Sequence, residues 1–212
     1  MQSRMISRRS QAETISIVIL TGVVLAAALA VYGYFASQAS IFSYNQSIRS
    51  ELARLKFNTV IDELYFNRTD HFILVKRLDT SSARILFSLV AGEYYSDTLL
   101  VYKDLASQPG CRIFALKEYG GTYKPYPIPY ASTSLIPLTK VYLSTDKPSI
   151  YTGYTQVITV YEAWAEPSSL GSDVLLDAKI EVPIDRGYPI FVVLEFIGGN
   201  YYIVDSLQLR GV

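Results

Sequence analysis

The chain holds one histidine and one cysteine among 212 residues, which limits the chemistry open to it. A Ser-His-Asp or Cys-His nucleophilic system would have to use His71. That residue stands in Asp70-His71-Phe72-Ile73-Leu74, which reads as a turn entering a strand. Zinc takes about four ligands, and Cys111 is far along the chain from His71. Asp62, Glu63 and Asp70 lack the dense acidic run of a calcium loop and read as solvated turn residues. No P-loop or dinucleotide-binding glycine pattern is present. The expectation is therefore no catalytic residue, no metal and no cofactor. Cys111 cannot form an intrachain disulfide. It reads as a small buried hydrophobe, with a disulfide between two copies as the alternative. Asn45-Gln46-Ser47 and Asn67-Arg68-Thr69 are candidate glycosylation acceptors, and Asn67, in a predicted turn, is the better placed.

The element that dominates the chain precedes all of these. Thr14–Phe35 reads TISIVILTGVVLAAALAVYGYF, without a charge. As a helix it spans about 33 Å, enough for the ~30 Å hydrocarbon layer of a bilayer. Tyr32, Tyr34 and Phe35 sit at its far end, where aromatic rings favour the lipid–water interface. Arg4, Arg8 and Arg9 precede it, and few charges follow until Arg49. The positive-inside rule then sets the N-terminus in the cytoplasm and the remainder outside the cell. A buried core helix and a cleaved secretory signal are the alternatives. The run is long for the latter, whose apolar region usually spans about 7–15 residues. Charged residues are only 18% of the chain, and the formal net charge is zero. Without a basic face, the exterior part is not expected to bind nucleic acid.

Gly22, Ala26, Ala30 and Gly33 place small residues along one helix face, which permits close helix–helix approach. Ile41, Ile48, Leu52 and Leu55 continue at helical spacing, giving an amphipathic extension to about Lys56. Arg8-Arg9-Ser10-Gln11-Ala12-Glu13, followed at once by the apolar run, resembles the class III signal peptide of archaeal type IV pilins and archaellins. The resemblance implies a membrane peptidase that cuts between Ser10 and Gln11, after the basic Arg9. The apolar helix would stay on the mature subunit, with Glu13 as its early acidic residue.

Beyond Phe57 the pattern becomes β. Phe72–Arg77, Arg84–Val90, Thr98–Lys103 and Arg112–Glu118 are short runs of branched and aromatic residues between turn formers. Tyr119–Pro137 carries Pro125, Pro127, Pro129 and Pro137 and excludes a regular central strand. It reads as a linker between two β units or as a sticky Tyr/Pro surface loop. Further strands are expected at Lys140–Ser144, around Val157 and Thr159, and at Val174–Val182, Pro189–Ile197 and Tyr201–Leu209, with Gly198-Gly199-Asn200 as a hairpin turn. Trp164 reads as sandwich core, with a binding hot spot as the alternative. The eighteen tyrosines suit half-wet strands or a subunit interface. Ser144-Thr145-Asp146-Lys147-Pro148, then Tyr151 and Gly153, resembles the opening of immunoglobulin-like modules of prokaryotic surface proteins. That resemblance implies a C-terminal β-sandwich that binds or spaces and carries no catalytic residue.

The expected fold is thus a single N-terminal transmembrane α-helix followed by an all-β ectodomain, immunoglobulin-like in its C-terminal half. Its parts are a basic leader (1–13), a membrane helix (14–37), an amphipathic stalk (38–57), a β-rich region (58–137) and an immunoglobulin-like sandwich (138–212). The expected role is a pilin-like subunit of an extracellular filament, in which the helix packs against other subunits or copies of itself. The alternative is a permanently anchored accessory protein that binds an envelope lattice protein or a filament partner. An anchored enzyme is the third reading, disfavoured by the missing chemistry.

Overall fold

The computed structural model describes residues 3–79, 84–95, 98–119, 121–128, 130–142, 150–151, 155–168 and 171–210. Helix α1 runs Ser3–Asn58. The chain divides into two units, Met1–Ser47 and Ile48–Val212.

In the first unit every described side chain from Thr14 to Tyr44 is exposed. Ile15, Leu20, Val24 and Leu29 are each 60–65% exposed, as free as a lone helix allows. No proline interrupts the helix, and the exposed Thr21 hydroxyl is satisfied locally, donating from Oγ1 to Ile17 O at 2.8 Å. The helix is long and apolar enough to cross a membrane. Leu, Ile, Val and Phe each gain roughly 0.3–0.6 kcal/mol on entering the bilayer centre, whereas in water this surface is a liability.

The second unit is all β after the last turns of α1. Its strands are β1 Thr59–Asn67, β2 Asp70–Arg77, β3 Arg84–Tyr95, β4 Thr98–Asp104, β5 Cys111–Tyr119, β6 Thr122–Pro127, β7 Tyr130–Pro137, β8 Val141–Tyr142, β9 Ile150–Tyr151, β10 Val157–Trp164, β11 Glu166–Ser168, β12 Gly171–Ile180, β13 Tyr188–Ile197 and β14 Asn200–Gln208. They form two sheets. The first has the order β1-β2-β12-β5-β6, with β11 beside β12. The second has the order β7-β10-β3-β13-β14-β8, with β4 on β3 and β9 on β4. All pairings are antiparallel except the two-residue contacts β14–β8 and β4–β9.

Alternation decides which face of the first sheet is inside. β2 and β12 alternate half-buried and buried along their whole length. Ile73, Val75, Leu176, Ala178 and Ile180 point inward and meet Phe87, Leu89, Phe191 and Val193 of the second sheet in one core. Phe87 stacks on Phe191 at 5.2 Å between ring centroids. β3 is buried on both faces from Ile85 to Ala91, a run that is apolar except for Ser88, whose hydroxyl donates to Thr159 O at 2.8 Å. Leu86 and Val90, on its far side, join Ile158, Val160, Val192 and Leu194 in a second core. The α1 end belongs to this unit too. Leu55 enters the first core and Ile48 is buried, whereas Leu52 is half-buried and Ile41, before the unit begins, is exposed.

Three expectations are corrected. Tyr119–Pro137 is not a linker: it supplies β6, an edge of the first sheet, and β7, an edge of the second. Its prolines are tolerated because an edge strand has one side free of ladder bonds. Residues 138–212 do not close on themselves as a separate sandwich. β12 pairs with β2 and β5, β13 with β3, and β10 with β3 and β7, so early and late strands interleave. β1, unmarked among the expected strands, pairs with β2 along its length, with a bulge between Glu63 and Tyr65. The turn at Gly198-Gly199 is as expected: both have positive φ, 59° and 88°, the pair of angles a two-residue hairpin turn requires.

Candidate functional site

The first candidate is the helix surface. Arg9, Ser10, Gln11 and Glu13 all lie within α1, and their side chains are outside the described residues. Gly22, Ala26, Ala30 and Gly33 are exposed, and a Cβ added at Gly22 or Gly33 would meet no atom within 4 Å. The small-residue face is therefore open to another helix. Asn45 is half-buried within α1, while Asn67 is exposed at the β1–β2 hairpin, where Arg68 takes a positive φ of 48°. The residues that carried the immunoglobulin resemblance at Thr145–Pro148 and Gly153 lie outside the described residues.

The second candidate is the buried polar set. His71 is fully buried in β2 rather than in a turn, and its Nδ1 lies 2.7 Å from Glu63 Oε1 on β1. The other Glu63 oxygen accepts the Arg210 backbone N–H at 3.3 Å. This arrangement seals the imidazole inside and gives it a structural partner. Glu63 is thus turned inward, and exposed Asp62 points away from it on the same strand. Among the described residues no three His, Cys, Asp or Glu side chains converge as metal ligands. Arg77 is also fully buried, with Nη2 donating to Glu195 Oε2 at 3.0 Å. Burial pushes the Glu195 carboxyl up, against the pull of Arg77. Asp104 Oδ2 accepts from both the Thr159 N–H at 2.9 Å and its hydroxyl at 2.6 Å. Desolvation still raises the Asp104 carboxyl above the ordinary range. Cys111 is buried as expected, and desolvation pushes its thiol up to about 12. A thiol held neutral and covered is a poor partner for an interchain disulfide.

The third candidate escaped the sequence. The outer face of the first sheet carries two apolar rows in register: Phe72 and Phe114 flank Asp177, and Leu74 and Leu116 flank Leu175. Tyr65, opposite Phe72 on β1, extends the first row with its ring 5.7 Å away. Leu74, Leu116 and Leu175 floor a groove of about 420 Å³, edged by Leu64, Tyr123 and Trp164. Trp164 is 55% exposed, which corrects its assignment to the core. It ends β10 opposite exposed Arg84, where the sheet no longer covers it. The signal was present in the alternation: β2 keeps Phe72 and Leu74, β5 keeps Phe114 and Leu116, and β12 keeps Leu175 at positions that must face out once their neighbours face in.

No family model, curated protein or solved structure matches the chain. Function therefore rests on its own chemistry. Of the three sites, the second is a set of largely buried polar groups, and the first and third present exposed surface, apolar on the helix and apolar with charged ends on the sheet.

Proposed function

We propose that this chain is a structural subunit of an extracellular, type IV pilus-like filament, anchored and assembled through its N-terminal helix. The observation that carries the reading is an apolar helix with every described side chain from Thr14 to Tyr44 exposed, joined to a compact β unit. Such a helix needs lipid or the dry core of a helical bundle. The open Gly22–Gly33 face suits the bundle. Arg4, Arg8 and Arg9 favour a cytoplasmic N-terminus by the positive-inside rule, and the β unit would then lie outside the cell. Arg9-Ser10-Gln11 would be the processing site, with residues 1–10 removed. The test is to shear cells, separate filaments from membranes, and sequence the N-terminus in each fraction. The reading expects Gln11 as first residue in the filament fraction; a chain that still begins at Met1 and stays in the membrane would defeat it.

One observation favours a second reading. α1 runs through the Ser10–Gln11 bond, and a peptidase cuts extended rather than helical backbone. The chain would then remain a permanently anchored accessory protein whose β unit binds the envelope or a filament component.

A further inference from the structure

We propose that the outer face of the first sheet is a self-association surface that binds a second copy of this chain, face to face about a two-fold axis. The inference concerns the β unit alone and does not depend on how the helix is used.

The apolar rows of this face are bounded by charge at both ends. On β2 the outward positions run from Asp70 to Lys76, on β12 from Asp173 to Lys179, and on β5 from Arg112 to Glu118. On each strand the two ends are six residues apart, about 20 Å, and opposite in sign. β12 runs antiparallel to its neighbours, so one end of the face reads Asp70-Lys179-Arg112 and the other Lys76-Asp173-Glu166, because β11 stands beside Asp173 where the β5 pairing has ended. Glu118 borders the groove at that second end.

This pattern is self-complementary under one operation. A two-fold axis in the plane of the face, perpendicular to the strands and between the two apolar rows, lays each strand antiparallel over its own copy. Residue 70 then meets 76 and 179 meets 173, each a pair of opposite charges, and Arg112 meets the acidic corner formed by Glu166 and Glu118. The Phe72–Phe114 row meets the Leu74–Leu116 row. An isologous interface requires such reciprocal matching. Sheets packed face to face stand about 10 Å apart with strands within about 30°. That rotation displaces the charged rows by about 5 Å, within reach of a lysine or arginine stem. An apolar centre with a charged rim is also the usual anatomy of a protein interface. Among the described residues of the β unit, the second sheet reaches this face only at its rim, through Trp164. The patch measures about 20 Å each way, which belongs to weak, reversible association. Asp177, and Asp62 opposite Leu74 on β1, stand against it: carboxylates within the apolar rows must be desolvated on contact, so Asp177→Asn should tighten binding.

The test is sedimentation equilibrium of the full chain in detergent micelles, up to about 100 μM protein. Four forms are compared: wild type, Asp173→Lys, Lys179→Asp, and the double reversal. Association through the helix is common to all four and cancels. Each single reversal should weaken dimerisation roughly tenfold by setting like charges across the axis. The double reversal should return it to within about threefold of wild type. Lys179 also pairs with Glu181 at 2.7 Å, and the reversal disturbs that pair locally. Rescue by a change about 20 Å away on the same strand cannot come from local relief. Far-ultraviolet circular dichroism confirms that each variant is folded. Single reversals without effect, or a double reversal no better than either single, would overturn the proposal, as would an Asp177→Asn form that associates less than wild type.

Discussion

Arg77 and Glu195 tie the two sheets together through the protein interior. The Arg77 side chain is fully buried on β2, and its Nη2 meets Glu195 Oε2 on β13 at 3.0 Å. Among the described residues Arg77 Nε and Nη1 have no hydrogen-bond partner, so the carboxylate is the main counterweight to a desolvated cation. Glu195→Gln should therefore cost about 3 kcal/mol, the usual range for stranding a buried charge. The double change Arg77→Met with Glu195→Gln should recover most of that loss, because no buried charge is then left uncompensated. Thermal and urea unfolding of the three forms, followed by near-ultraviolet circular dichroism, decides it; equal losses in the single and double variants would refute the account.

Asp104 makes a pH-dependent contribution of predictable sign. Desolvation, larger than the two Thr159 hydrogen bonds, raises its folded value above the ordinary carboxylate range. A group raised on folding stabilises the protein below its unfolded value, and that stabilisation is lost as pH rises through the folded value. Wild type should thus lose stability relative to Asp104→Asn as pH climbs from about 4 upward. Unfolding midpoints of both forms across that range should diverge; a pH-independent difference, or the opposite slope, would contradict the burial argument.

The buried thiol should be silent. With Cys111 pushed up to about 12 by desolvation, the fraction of thiolate at pH 8 is negligible. Iodoacetamide at that pH should label the denatured chain fully and the native chain at least tenfold more slowly. Non-reducing gels should show no disulfide-linked dimer, and rapid native labelling would mean that the β5 end opens readily.

Two aromatic residues should differ sharply on truncation. Phe87 is fully buried between Phe191 and Tyr161, at 5.2 and 5.7 Å between centroids, and Phe87→Ala should cost about 3–5 kcal/mol. Trp164 is more than half exposed, and Trp164→Ala should cost under about 1 kcal/mol. Comparable losses would return Trp164 to the core.

The strands were legible wherever local pattern sufficed. Val174–Val182, Pro189–Ile197 and Tyr201–Leu209 fall on β12, β13 and β14 within a few residues, because alternating or continuous apolar runs bounded by turn formers are local information. The pairing of β12 between β2 and β5 was not legible, since nothing in residues 171–180 names partners about a hundred and about sixty positions earlier. β1 was missed because Thr59–Asn67 mixes Asp62 and Glu63 with apolar residues directly after a helix. Trp164 was misplaced because a position at the end of a strand does not say whether the opposite sheet reaches far enough to cover it. The outer apolar face was overlooked because half-buried leucines and core leucines look alike until the opposite face of the strand is known.

The prolines of β6 have one more consequence. Pro125 and Pro127 deprive this border of the first sheet of two amide donors, so an incoming strand finds no complete ladder to join. Copies crowded at high local density would be steered away from joining edge to edge through this border.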